Sequence, residues 1–211
     1  MSFNQVISYF LTTGAVLDLT FARGFKLGRS IQKVIKNGEI SNYMVKPLRL
    51  IHYLFSDLFI GRYGFNLFIC IIYLTAGIII YPPKSIENIL LFIPFLFVSL
   101  FISLGLNIFI ACFQFYTTEA GGLKNMMDHV NRVLSGALIP ISFFPEGMRQ
   151  IVQALPFATM IYGPTKTLQS AVITNEILIM FGLGFVWAIA INLIAIALWN
   201  KSIKSYDAAG M

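Results

Sequence analysis

From Ile177 to Trp199 the chain carries no Asp, Glu, Lys or Arg. As a helix rising 1.5 Å per residue, this run is about 35 Å long, enough to cross a hydrocarbon core of about 30 Å. Asn175 and Glu176 stand before it, and Trp199, Lys201 and Lys204 close it as an aromatic and basic anchor. A core helix of that length and purity needs a charged skin around it, and only 11% of the 211 residues are charged against 57% hydrophobic. Soluble domains carry about 25% charged residues, so the main solvent of this chain is lipid. The mean hydropathy of +0.78 agrees. Twenty Phe exclude a disordered chain, sixteen Gly without a triplet period exclude collagen, and two Cys make no disulfide framework. Cys70 and Cys112 both sit in apolar runs and read as small buried hydrophobes.

Four more spans are expected in an all-α, polytopic membrane protein forming a single domain over 1–211. Residues 65–81 form an apolar run that stops at Pro82 and Pro83, where the missing amide donor ends a helix. Residues 89–116 form a run longer than a bilayer core demands, interrupted by Pro94. Residues 6–21 are short for a span and contain Asp18. Residues 126–144 reach membrane length only by including Asp128, His129, Asn131 and Arg132, and polar groups at depth must face protein or a water-filled cavity.

Basic residues orient these spans. Arg23, Lys26, Arg29, Lys33, Lys36, Lys46 and Arg49 fall in one stretch. The excess of Lys and Arg places the loop 22–49, the segment around Glu119 and the C-terminus in the cytoplasm of a plasma-membrane protein. The net charge of +6 therefore reflects a cytoplasmic loop facing anionic lipid, and no nucleic-acid partner is expected. With this orientation Met1 lies outside, which predicts that a further span precedes it.

Two segments are expected to lie on the membrane. In 25–37, Leu27, Ile31, Val34 and Ile35 fall on one helical side and Lys26, Arg29, Lys33 and Lys36 on the other, with Gly38 as a stop. This helix either rests on the inner leaflet or docks a cytoplasmic partner. In 145–155, Pro145 and Glu146 suit a helix start, Met148, Ile151, Val152 and Leu155 form an apolar face, and Pro156 ends it. It is expected on the outer face.

The sequence holds no phosphate-cradling G-x-x-x-x-G-K-[ST] loop, no H-E-x-x-H, no G-x-S-x-G and no metal-spaced Cys or His cluster. Catalysis, cofactor and metal are accordingly not expected on this chain, and ATP would have to be hydrolysed elsewhere. His52 and His129 stand alone. Asp18 reads either as a proton-relay acid or as the cytoplasmic end of a short span near Arg23. A polar group at one depth is approached only by Glu119, Asp128, His129 and Arg132.

The stretch Ser135–Leu168, SGALIPISFFPEGMRQIVQALPFATMIYGPTKTL, resembles the signature of membrane subunits of type-2 ATP-binding-cassette (ABC-2) exporters. Ser135, Gly136, Ile139, Pro140, Phe144, Pro145, Leu155, Pro156, Phe157, Tyr162 and Pro164 carry the likeness. Three other stretches are similar in the same order: KNGEISNYMVKP at 36–47, Phe115–Leu123, and Tyr206–Gly210. The resemblance implies six spans, with the first absent before Met1. It also implies homo- or heterodimeric pairing with a second permease subunit, and two ABC ATPase subunits that carry ATP and Mg. It favours docking for 25–37 and assigns ATPase coupling to Phe25, Leu27, Arg29, Ile31, Lys33, Val34, Ile35, Gly38 and Glu39. It marks Gly136, Pro140, Pro145, Pro156 and Phe157 as signature and outer-helix positions. Glu119, Asn131, Arg132 and Ser135 are the pathway candidates. A membrane scaffold that moves nothing and a proton-coupled carrier using Asp18 are the competing readings.

Overall fold

A computed structural model describes residues 2–36, 64–113 and 121–209, with side chains described for 2–20, 67–113, 122 and 125–202. The described residues form seven α-helices: α1 (Phe3–Lys36), α2 (Gly64–Ile80), α3 (Ile86–Phe113), α4 (Gly121–Leu134), α5 (Glu146–Ala154), α6 (Pro156–Gln169) and α7 (Asn175–Ala209). A short 3-10 turn, Ile141–Phe143, precedes α5. Two of these helices are long and apolar enough to cross a membrane, Ile86–Phe113 and Asn175–Ser202, while Leu67–Ile80 is a shorter apolar helix. The two helices expected at 6–21 and 25–37 are joined: α1 runs without a break from Phe3 through Lys36, with only the backbone described from residue 21 onward, and residue 37 lies outside the described residues.

Side-chain bonds across the helices fix their directions: α1, α3 and α7 start at one end of the bundle, and α2 and α6 finish there. Ser8 Oγ donates to the Gly77 carbonyl at 2.8 Å, joining the start of α1 to the end of α2. Asn88 Nδ2 donates to the Ser170 carbonyl at 2.6 Å, joining the start of α3 to the end of α6. Deeper in the bundle, Ser103 Oγ reaches the Thr20 carbonyl at 2.6 Å and Asn192 Nδ2 the Phe101 carbonyl at 2.9 Å. Between helices in lipid such bonds and tight packing replace the hydrophobic effect, which adds little where the solvent is itself apolar. Apolar residues that elsewhere would form a core face outward instead. Phe97, Phe101, Phe185, Val186, Ile189, Leu193 and Ile194 are each half exposed or more. An apolar surface of that extent suits a lipid-facing wall.

α5 and α6 form a helical hairpin. At the end where α1 and α7 begin, Gln153 of α5 bonds Glu176. The next residue, Ala154, accepts from Trp187 Nε1 at 2.8 Å, so side chains from two levels of α7 converge on the end of α5. Pro156 then opens α6 at its first turn, where the missing amide costs nothing, and α6 climbs back to Ser170. It packs against α1, α3 and α7. All of its residues but Phe157 and Lys166 are buried. Phe95, Ala158, Tyr162, Ile177 and Met180 join Tyr9 and Ile141 in one core cluster, and Val98, Ile102, Met160, Ile161 and Ala188 form another below it.

Two expectations change here. Residues 126–144 are not one helix: α4 stops at Leu134 and Gly136 turns the chain at φ 80°. There the Leu138 N–H returns to the Arg132 carbonyl at 3.2 Å, an end that favours a residue without a Cβ. The segment 145–155 does form a helix, Glu146–Ala154, but only Val152 of its apolar face is buried; Met148 and Ile151 stay exposed. Pro156 both closes α5 and opens a helix the sequence reading did not foresee.

Candidate functional site

The signature residues assemble at the end of the bundle where α1 and α7 begin. Tyr9 Oη donates to the Gly136 carbonyl at 2.7 Å, tying the first helix to the turn after α4, and the tyrosine is 1% exposed. Pro140 stands before the 3-10 turn and Pro145 before α5, each setting an extended entry. Pro156 and Phe157 form the first turn of α6.

Between these elements opens a pocket of about 420 Å³. It is lined by Gln5 and Tyr9 of α1, Tyr81 just beyond α2, and Ser142 of the 3-10 turn. Arg149 of α5, Tyr162, Lys166 and Gln169 of α6, Ser170 and Ala171 beyond it, and Glu176 of α7 complete the wall. Its centre is an ion pair, Lys166 Nζ to Glu176 Oε1 at 2.5 Å, and Gln153 Nε2 donates to the same oxygen at 2.7 Å. The Lys166 ammonium also lies 5.5 Å from the Tyr162 ring centroid, where the ring's negative face attracts it. Partial burial pushes the Glu176 carboxyl up, but the hydrogen bond and charge of Lys166, the Gln153 amide and the nearby Arg149 outweigh it and hold it below its ordinary value of 4.5. Gln169 Nε2 closes the floor against the Gln5 carbonyl at 3.2 Å.

The pathway candidates sit apart from this pocket, on α4. Asn131 is 1% exposed, and neither its Oδ1 nor its Nδ2 has a hydrogen-bond partner; Ser135, four residues on and on the same face, is fully buried with its Oγ equally unanswered. Arg132 is exposed and lies within electrostatic reach of Asp18, so among the described residues α4 brings a cation toward Asp18. Glu119, Gly38 and Glu39 lie outside the described residues. For Phe25, Leu27, Arg29, Ile31, Lys33, Val34 and Ile35 the backbone alone is described, as the last turns of α1. Among the described residues no group of three or more His, Cys, Asp or Glu is placed to hold a metal ion.

A family model described as ABC-2 family transporter protein matches residues 2–210. The chain belongs to the ABC-2 transporter family. It is the membrane component of such a transporter, as its apolar helices also require. No match was found among curated proteins or among solved structures. Within this ABC-2 protein, sequence reasoning missed the pocket. It treated Lys166 and Glu176 only as charges beside spans, although Tyr162, Lys166 and Gln169 follow at i, i+4 and i+7. That spacing is a polar stripe on one helical face.

Proposed function

We propose that this ABC-2 membrane component is the permease subunit of an ATP-driven exporter, paired with a second permease subunit and driven by separate ABC ATPase subunits. In this reading ATP and Mg are bound by the partners, the loop 22–49 and the C-terminus face the cytoplasm of the cell membrane, and the α5–α6 hairpin enters from outside. The substrate pathway runs near the unanswered polar groups of Asn131 and Ser135.

What supports the coupling role is the unbroken course of α1. Its 34 residues extend about 50 Å, well beyond a hydrocarbon core of about 30 Å. Residues 25–36 therefore project from the lipid on the same rod that carries Ser8, Tyr9 and Thr13 into the opposite end. A push on the projecting end tilts the whole helix. Its bonds to Gly77 and Gly136 pass that tilt to α2 and to the signature turn. Closure of ATPase subunits on the basic segment would thus shift the balance between inward- and outward-open arrangements.

The test is affinity purification of the tagged chain from cells of its own source, with any co-purifying ABC ATPase identified by mass spectrometry. The wild type should retain the ATPase, and Leu27→Glu combined with Ile31→Glu should release it while the chain keeps its helical content and elution volume. An ATPase retained equally by the doubly substituted chain would remove 25–37 as the coupling element. Failure of the wild type to bind any ATPase would favour a scaffold role.

A further inference from the structure

We propose that the pocket around Lys166 is a site for the anionic phosphate headgroup of a membrane phospholipid, held between Arg149, Lys166 and the Ser142 hydroxyl. The inference rests on the membrane assignment of the chain and not on ATPase coupling.

Position is the first argument. Tyr81 is the first residue past α2, Ser170 the first past α6, and Glu176 the second of α7. The helices around the pocket therefore start or stop at its rim. In a bilayer, the level at which apolar helices end is the level of the headgroups, whichever side the pocket faces. Tyrosine is enriched there because its ring lies in lipid and its hydroxyl in water, and the partly exposed Tyr81 stands at this rim.

Charge is the second. The pocket contains two cations and one anion, and the anion is spoken for: Glu176 already receives Lys166 and Gln153. Lys166 has further N–H donors beyond the one it gives to Glu176. The Arg149 guanidinium is ion-paired with Glu146 at 3.6 Å, whose side chain is 81% exposed and weakly held in water, and it acts on Glu176 through space. Arg149 is thus placed to present a planar pair of donors to two oxygens of one phosphate. Basic pockets between membrane helices bind phospholipid headgroups by this chemistry.

The third observation is independent of charge. Ser142 lines the pocket, and its Oγ is enclosed with no hydrogen-bond partner. An enclosed hydroxyl left unanswered is destabilising, whereas a phosphate oxygen beside Arg149 would accept from it. At about 420 Å³ the space falls within the ~300–1,000 Å³ of ligand sites, room for a phosphoglycerol group with its chains leaving toward lipid.

Thermophoresis of the purified protein in uncharged detergent tests this with three probes: dihexanoyl phosphatidylglycerol, dihexanoyl phosphatidylcholine and glycerol 3-phosphate. Phosphatidylglycerol should bind saturably and more tightly than phosphatidylcholine. Arg149→Gln should weaken it about tenfold or more and Ser142→Ala about threefold to tenfold. Glu176→Gln, which frees Lys166, should tighten it. Equal binding of the two lipids, or wild-type affinity in Arg149→Gln, overturns the proposal. If glycerol 3-phosphate competes at the same concentration as the lipid, the site reads phosphate alone, and the lipid source is overturned in favour of a soluble ester. Should Arg149→Gln fail to fold, the opposite signs expected for Ser142→Ala and Glu176→Gln decide the matter, and equal signs refute it.

Discussion

Gly163→Ala tests how α6 is seated. A Cβ built at this position would lie 2.3 Å from Phe95 Cζ, 2.8 Å from Cε2 and 3.0 Å from Cε1. Carbon atoms pack best at about 3.5–4.0 Å, so the ring or the helix must retreat by about 1 Å. Phe95 is fully buried and stands edge-on to Phe181 at 5.3 Å, which closes the obvious way out. Overpacking of this kind costs about 1–3 kcal/mol, and contact with three ring atoms argues for the upper half. Against it stands the gain of about 1 kcal/mol for Ala over Gly inside a helix. The net loss is about 1–2 kcal/mol, or a melting point lower by about 2–8 °C for a chain of this size. Gly182 has nothing within 4 Å of its built Cβ, so Gly182→Ala keeps only the helix gain and should melt about 2–4 °C above wild type. Gly184, whose Cβ would meet Val98 Cγ1 at 3.1 Å, should fall between them. Thermal unfolding in detergent, followed by tryptophan fluorescence, orders the three. Adding Phe95→Leu to Gly163→Ala removes the colliding ring atoms and should recover at least about 1 kcal/mol relative to additivity. A Gly163→Ala protein that melts as high as Gly182→Ala, or one that Phe95→Leu does not rescue, would refute the close seating of α6 on Phe95.

Three further outcomes are expected. Tyr9→Phe leaves the Gly136 carbonyl without its donor at a buried site, which costs about 1–3 kcal/mol and lowers the melting point by about 2–12 °C; an unchanged melting point would show the bond to be idle. Because Glu176 is held below its ordinary value of 4.5, its contribution is complete above that pH and is lost as the pH falls through the lowered value. Wild type should therefore lose more thermal stability than Glu176→Gln between neutral pH and pH below about 4, and parallel losses would contradict the pairing. Asp18→Asn should leave transport by an ATP-driven exporter intact, while loss of transport with the ATPase still bound would put proton coupling through Asp18 first.

Where composition alone decides the outcome, the sequence was a sufficient guide. The uncharged run after Glu176 became α7, Pro82 and Pro83 follow the end of α2, and the long run with Pro94 inside it became α3. What failed were the places where one residue serves two neighbours. The span expected over 126–144 includes Ser135, Gly136 and Pro140, but Gly136 at positive φ breaks it with a turn. Pro156 was read as a stop, and it is also the start of α6, whose mix of Thr, Gly, Pro and Lys has no apolar stripe to announce it. A helix buried on all sides by other helices needs small and hydroxyl-bearing residues, which look like a loop in one dimension. Of the site, the signature turn was marked by its motif, whereas the pocket depends on Lys166, Glu176, Arg149 and Tyr9 meeting from four separate helices. No local pattern encodes that meeting, nor the approach of Arg132 to Asp18.

The hairpin also constrains how the protein is made. Synthesis delivers α6 before α7, yet α7 forms one of the walls α6 lies against, with Trp187 bonded to its hairpin partner at Ala154. Until α7 arrives, the Lys166 ammonium lacks its Glu176 partner and the side of α6 that packs on α7 is uncovered, so both face either lipid, which cannot satisfy the charge, or water. The hairpin therefore has to wait at the membrane surface and enter as the last helix is threaded, making its insertion a late, post-threading step. A nascent chain halted before α7 should expose α6 to proteases that the finished protein excludes.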